Sequence, residues 1–507
     1  MALIHPGDDD TVLVSVWLPP KENWNKCYAA TGGGGLGADY DFNMISPLTA
    51  GFATSFTDAG LTLNNTISAN TGLWGLKEEG TVNEALFENL GYRSVHDMAV
   101  ASKDIINQYY GTDADYSYWT GCSQGGRQGY AAAAKFSTDF DGILAASPAR
   151  SFDHVGMSTF WPVVVMQNEG EFVPSCVFRE FEKAIVKHCD PRDGLADGLI
   201  SDYDLLMSCS SSFSPSSLVG KKVACPEAGN TTITITPRHA NIVKKILRGP
   251  SFDEVQYWFG LAPGASFSGT ADTVFDKRTH KWIPQPFAPA FGWLKNIIAP
   301  QMAPKIQPRN ALRVLTDLPT LSYAQYLEAF KASLNISSPY LGDGFLDLAP
   351  FHAAGGKLLS WVGLADQFIH PMHVLDFHRS VEATLEDDDE TIDINSFYRL
   401  FTASGVGHCG GGVGATPANA LGALVEWVEH GNAPETLAVK VTNSTERPID
   451  HELCLYPRKK VPFNGTLTCR DPRMHRGFDS DSDSDDLDEY EDAGEYDGEV
   501  GLPVEVA

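Results

Sequence analysis

Three short stretches of this 507-residue chain carry residue types that could do nucleophilic chemistry together. Gly121-Cys122-Ser123-Gln124-Gly125 has the G-x-S-x-G spacing, in which small neighbours let a serine sit on a tight, strained turn with its hydroxyl pushed outward. Asp366 lies just past an apolar run, and His408 stands in a glycine loop, Gly407-His408-Cys409-Gly410. A hydroxyl nucleophile, an imidazole base and a carboxylate to orient the base are what acyl transfer needs. Each piece alone is ordinary: the chain has 14 histidines, and a G-x-S-x-G run is often a plain turn. The cysteines tie the pieces together, because Cys122 precedes the serine and Cys409 follows the histidine. If Ser123 and His408 come within hydrogen-bond reach, those cysteines come into disulfide range. A bridge across so long a loop would stabilise the fold by roughly 4–5 kcal/mol on the loop-entropy model.

The elements that must hold these residues follow from periodicity. Residues 114–120 suit a buried strand, and residues 128–136, with four consecutive alanines, favour a helix. Strand signals also occupy residues 11–18, 27–30, 51–58, 139–146, 357–363 and 397–403, while residues 92–110 and 418–430 read as helices. Strands alternating with helices predict a parallel α/β sheet, and the order Ser123, Asp366, His408 is that of α/β-hydrolases. The glycine run at residues 31–37 lacks the partners of a dinucleotide or phosphate loop. It reads either as a flexible turn or as the loop whose backbone N–H, at Gly34, joins that of Gln124 in an oxyanion hole.

Length predicts two domains or one with a large insertion. The hydrolase core is assigned to residues 1–150 and 341–475 and an inserted lid to 151–340, where prolines, aromatics and cysteines are scattered and strand periodicity is poor. The lid contains Asp190, Asp193 and Asp197 alternating with glycines, which is either an oxygen-only calcium loop or a pair of surface Asp-Gly turns. Net charge is -28, yet twelve acidic residues fall between Asp479 and Glu499, so residues 476–507 are expected to form a solvated, disordered tail. No basic stripe suggests a nucleic-acid partner, and no apolar run of membrane-spanning length is present. Nine cysteines and sequons at Asn64, Asn230, Asn335, Asn443 and Asn464 point to an oxidising, glycosylating compartment. The first ten residues do not read as a signal peptide. Either the true start lies elsewhere or the protein is intracellular with mostly free cysteines. Cys454 and Cys469 bracket a short hairpin expected to be closed by its own disulfide.

At this point the chain resembles the tannase/feruloyl esterase family. The resemblance is carried by GFATSFTDAG at 51–60, YRSVHD at 92–97, YWTGCSQGGRQG at 118–129, DFDGI at 139–143, CDPRDGLADGL at 189–199, GLADQFIHP at 363–371 and GHCGGG at 407–412. It implies an α/β-hydrolase core with a large lid, a Ser123–Asp366–His408 triad and a Cys122–Cys409 bridge. It also implies a structural calcium held by the side chains of Asp190, Asp193 and Asp197 and the carbonyls of Leu195 and Leu199. The implied activity is a secreted serine esterase acting through an acyl-enzyme on small aromatic esters. Those would be hydroxycinnamoyl esters such as feruloyl groups on plant cell-wall polysaccharide, or galloyl esters of tannin. A peptidase or lipase on the same fold, or an inactive member that only binds phenolics or carbohydrate, are the rival readings. The chain departs from the family pattern at Leu61, where many relatives have histidine, and at Ser137 and Ser404, where prolines are usual. Relatives also carry a leader and further residues before the first strand, which suggests a truncated or alternative start here. Cys27, in a core strand, is expected to be the unpaired ninth cysteine.

Overall fold

The structure is a computed structural model that describes the chain apart from residues 9, 39–40, 62–70, 79, 303–317, 343, 387–391, 441–451, 464–465 and 472–507. The first part of the chain gives β1 (Ala2–Leu3), β2 (Val12–Trp17), β3 (Cys27–Thr31), β4 (Ala53–Thr57), helix α1 (Ser94–Tyr110), β5 (Tyr116–Cys122), α2 (Gln124–Lys135) and β6 (Gly142–Ala146). Helices α3 (Phe152–Ser158), α4 (Trp161–Glu169), α5 (Ser175–Cys189), α6 (Pro237–Arg248) and α7 (Tyr323–Leu341) follow. The chain then returns with β7 (Lys357–Gly363), α8 (Pro371–Glu386), β8 (Tyr398–Ala403), β9 (Thr416–Pro417), α9 (Ala420–His430), β10 (Thr436–Lys440) and β11 (Glu452–Leu455).

These strands form one sheet in the order β1-β2-β4-β3-β5-β6-β7-β8-β11-β10-β9. Strands β4, β3, β5, β6, β7 and β8 run parallel to one another, while β2 and β11 flank them antiparallel. Every residue of β3 and β6 is buried, as a parallel sheet covered on both faces requires. Successive residues of β5 enter opposite layers: Tyr118 packs with Leu424 and Trp427 of α9, and Trp119 packs in the larger core with Tyr130 of α2. The architecture is that of an α/β-hydrolase.

Several elements differ from the sequence expectation. Helix α2 starts at Gln124 rather than near residue 128, running through three glycines that helix propensity disfavours. Packing overrides propensity there: a Cβ on Gly126 would lie 2.6 Å from the Ala146 carbonyl oxygen, and one on Gly129 would lie 2.8 Å from the Trp119 ring. Helix α1 starts at Ser94, because residues Asn89–Arg93 form a wider π-turn. The antiparallel strands β9, β10 and β11 extend the sheet past β8 and were not expected. Cys454 belongs to β11, so its bond to Cys469 ties the sheet to a separate ribbon (Lys459–Phe463 with Thr466–Arg470) instead of closing one hairpin on itself.

The described residues of 151–341 contribute no strand to the large sheet, but they do carry three two-stranded ribbons besides their helices. Disulfides Cys176–Cys225 and Cys189–Cys209 staple that region, and Cys27 is free and buried. Among the described residues no helix is long and apolar enough to cross a membrane. The acidic tail and the sequons at Asn64, Asn443 and Asn464 lie outside the described residues, whereas Asn230 and Asn335 are exposed.

Candidate active site

The turn between β5 and α2 is built as the spacing implied. Ser123 has φ 62° and ψ -121°, a conformation that a side chain normally avoids. Three backbone bonds hold it there: Ser123 N–H to Ala146 O at 3.0 Å, Ala149 N–H to Ser123 O at 2.9 Å, and Gly125 N–H to Gly33 O at 3.0 Å. A Cβ on Gly121 would fall 2.5 Å from the Gly125 carbonyl carbon, and one on Gly125 would lie 3.1 Å from the Gly32 backbone, so both places are crowded by main chain.

Asp366 follows β7 and is buried, with 1% of its surface exposed. One carboxylate oxygen accepts the N–H groups of Phe368 and Ile369, both at 2.9 Å, and the other lies 2.8 Å from His408 Nδ1. Those contacts fix the imidazole with Nε2 as its outer nitrogen. His408 N–H donates to Gln367 Oε1 at 3.2 Å, so the residue after the acid also holds the histidine loop. The Cys122–Cys409 disulfide joins the two loops at a Cα–Cα distance of 5.9 Å and a sequence separation of 287. Among the described residues the Ser123 hydroxyl makes no hydrogen bond to His408. Such a link commonly tightens only with substrate in place.

The Gln124 N–H, first in α2, has no acceptor among the described residues. Opposite it runs the glycine loop after β3. Gly33 N–H is already committed to Gln128 Oε1 at 3.1 Å, and Gly34 follows it. A Cβ on Gly32 would lie 2.5 Å from Gly125 Cα, so this loop and the nucleophile turn touch through bare backbone. Phe368 stands edge-on to His408 at 5.2 Å between ring centroids and meets Phe287 of the inserted region at 4.3 Å. Gln128, Gln367, Phe287 and Phe368 were not singled out from sequence. Gln367 and Phe368 adjoin Asp366 and Gln128 lies one turn beyond Gln124, which was the available signal; Phe287 had none.

The family model described as tannase and feruloyl esterase matches residues 1–469. The chain belongs to that family. It is 40% identical over 463 residues to a protein named probable feruloyl esterase from Arthroderma benhamiae, covering 90% of this chain and 81% of the relative. It is 28% identical to feruloyl esterase B of Aspergillus niger, covering 90% and 82%. Among solved structures, tannin acyl hydrolase from Aspergillus niger superposes with a TM-score of 0.80 at 25% identity, covering 93% of this chain and 86% of that one. Membership in the tannase and feruloyl esterase family makes this protein a carboxylic ester hydrolase.

Within this family member the Asp-rich loop adopts a turned geometry. Asp190 accepts the N–H groups of Asp197 (3.1 Å) and Gly198 (3.0 Å), Asp193 those of Leu195 (3.0 Å) and Ser201 (2.8 Å), and Asp197 that of Leu199 (3.0 Å). Burial, reinforced by Asp197 and Asp190, pushes the Asp193 carboxyl up to about 6 against its two N–H donors. Neither Asp190 nor Asp193 has a lysine or arginine partner among the described residues, and the carbonyls of Leu195 and Leu199 accept no hydrogen bond from them. Oxygen donors that lack a cation suit a hard divalent ion. The three carboxylates are not gathered within 4.8 Å of one another, however. The set that is so gathered, Cys176, Cys225 and Glu227, has its two sulfurs in a disulfide and is no metal site.

Proposed function

We propose that this protein hydrolyses hydroxycinnamoyl esters, feruloyl groups on plant cell-wall sugars among them, through an acyl-enzyme formed on Ser123. The observation that carries the reading is the constellation itself. A strained serine is bridged by Cys122–Cys409 to the loop of a histidine whose Nδ1 meets a buried carboxylate at 2.8 Å. His408 Nε2 takes the Ser123 proton as the hydroxyl attacks the ester carbonyl, and Asp366 orients the imidazole and stabilises its charged form. The oxyanion is received by the N–H of Gln124 and by the Gly34 loop. Collapse expels the alcohol, protonated by His408, and water then attacks the acyl-enzyme by the same route in reverse. Phe368 and Phe287 supply an apolar wall for an aromatic acyl group.

Feruloyl rather than galloyl preference rests on the 40% identity to the protein named probable feruloyl esterase; the likeness to tannin acyl hydrolase favours galloyl esters as the second reading. The test compares the parent with Ser123→Ala on methyl ferulate and methyl gallate. The substitution should lower kcat by more than about 10⁴. Parent and variant alike in rate would refute the mechanism, and the ratio of the two esters chooses the acyl group.

Calcium in the Asp190–Leu199 loop would act structurally, neutralising carboxylates that are not among the described hydrogen-bond partners of Asp366 or His408. Four disulfides with exposed Asn230 and Asn335 support secretion with N-linked sugar. Secreted protein whose mass is unchanged by endoglycosidase would contradict the glycan part of this reading.

A further inference from the structure

We infer that Arg127 is a positioning residue of the oxyanion site: it fixes the first turn of α2 and gives that turn a positive charge whose counter-charge arrives only during reaction. The inference rests on the ester-hydrolase reading above. Arg127 is 1% exposed, and among the described residues it has no acidic partner. Burying an unpaired guanidinium costs several kcal/mol, so its retention asks for a reason. Burial draws its pKa down to about 9, which still leaves it charged at neutral pH.

Its donors serve a small set of acceptors. Nε donates to Gln124 Oε1 at 2.9 Å, one terminal nitrogen donates to Gly91 O at 2.9 Å, and the other donates to Leu90 O at 2.6 Å. Leu90 and Gly91 lie in the π-turn Asn89–Arg93, where the regular ladder of carbonyl acceptors is interrupted. Gln124 Nε2 reaches toward the same Leu90 carbonyl at 3.5 Å. The guanidinium therefore pins the side chain of the residue whose backbone N–H has no acceptor. It also anchors the nucleophile helix to the element in front of α1. The bland alternative is that Arg127 merely satisfies the π-turn. That role predicts a change in stability and none in the turnover of folded protein.

The two are separated by kinetics on methyl ferulate for the parent, Arg127→Lys and Arg127→Gln. Rates are expressed per active site titrated with a 4-nitrophenyl phosphonate, alongside melting temperatures. Arg127→Gln should lose about 10- to 100-fold in kcat with KM within about two-fold, as for a weakened oxyanion donor. Arg127→Lys, which keeps charge but not the fork, should lose less. A folded Arg127→Gln with parental kcat per site, or a loss confined to KM, overturns the inference. Should Arg127→Gln fail to fold, Arg127→Lys decides alone: reduced kcat at unchanged KM supports the role, and parental kcat overturns it. If the parent is no faster than Ser123→Ala, the ester-hydrolase reading itself has failed, and the inference falls with it.

Discussion

The nucleophile turn and the Asp-rich loop are both sharp, glycine-dependent bends, yet they are held in opposite ways. Around Ser123 every restraint is protein on protein: backbone bonds to β6 and to the Gly33 loop, bare glycine contacts, and a disulfide to the histidine loop. Around Asp190 and Asp193 the backbone curls through Gly194 and Gly198, both at positive φ, so that the loop's own N–H groups serve its carboxylates. The negative charge gathered there has no cationic side chain on Asp190 or Asp193 among the described residues. Strain in the first bend is balanced inside the fold. Charge in the second is met by the loop's own N–H groups, and the proposed calcium would complete it. The catalytic geometry should therefore be intrinsic to the chain, whereas on the calcium proposal the Asp-rich loop is conditional on an ion.

The largest expected effect tests the intrinsic side. Asp366→Asn can still accept from Phe368 and Ile369 N–H through its one oxygen, but its amide then faces His408 Nδ1 as a donor and favours the wrong tautomer. We expect kcat to fall by about 10⁴ with little change in melting temperature. A loss below about ten-fold would mean that another group orients His408. Next come the two disulfides, one in each region. Removing Cys122–Cys409 by paired serine substitutions should cost about 5 kcal/mol for its separation of 287, against about 3 kcal/mol for Cys189–Cys209 with its separation of 20. Denaturant titration measures both. Only the first should also depress kcat, and equal kinetic effects would erase the distinction between the regions.

How far the sequence revealed this follows the same division. Ser123, Asp366 and His408 were legible because acyl-transfer chemistry dictates residue type and order, and because Cys122 and Cys409 lie beside two of them. Strands such as β7 were legible because a buried parallel strand is a continuous apolar run. The start of α2 was not: glycines read as helix breakers until β6 is seen to crowd them. Strand β9 is two residues long, too short for periodicity to register. The Cys454–Cys469 bond is legible in the sequence, but spacing says nothing about which sheet the strand of Cys454 joins. The partners of Cys176 and Cys189 were unreadable for the same reason. Phe287 meets Phe368 only through the docking of the inserted region, which no local pattern encodes.

The smallest expected effect tests the conditional side. If the Asp190–Leu199 loop takes calcium, an ion at about a hundred times its dissociation constant stabilises the folded state by about 2.7 kcal/mol. For a chain of this size that corresponds to a rise in melting temperature of about 2.5 °C on adding calcium to chelator-treated protein. Turnover of methyl ferulate at 25 °C should stay within about two-fold, since the hydrogen bonds that hold Asp366 and His408 do not come from this loop, although Leu199 packs against Gly405 of the histidine loop. Asp193→Asn removes one charged oxygen donor from the site, so its melting temperature should respond little to calcium. Magnesium should substitute poorly, because its small octahedral shell does not suit a loop of carbonyls and spread carboxylates. Calcium that leaves the melting temperature unmoved would mean that the loop's own N–H groups suffice. Chelation that abolishes turnover in still-folded protein would break the contrast altogether, placing the loop in the catalytic machinery rather than beside it.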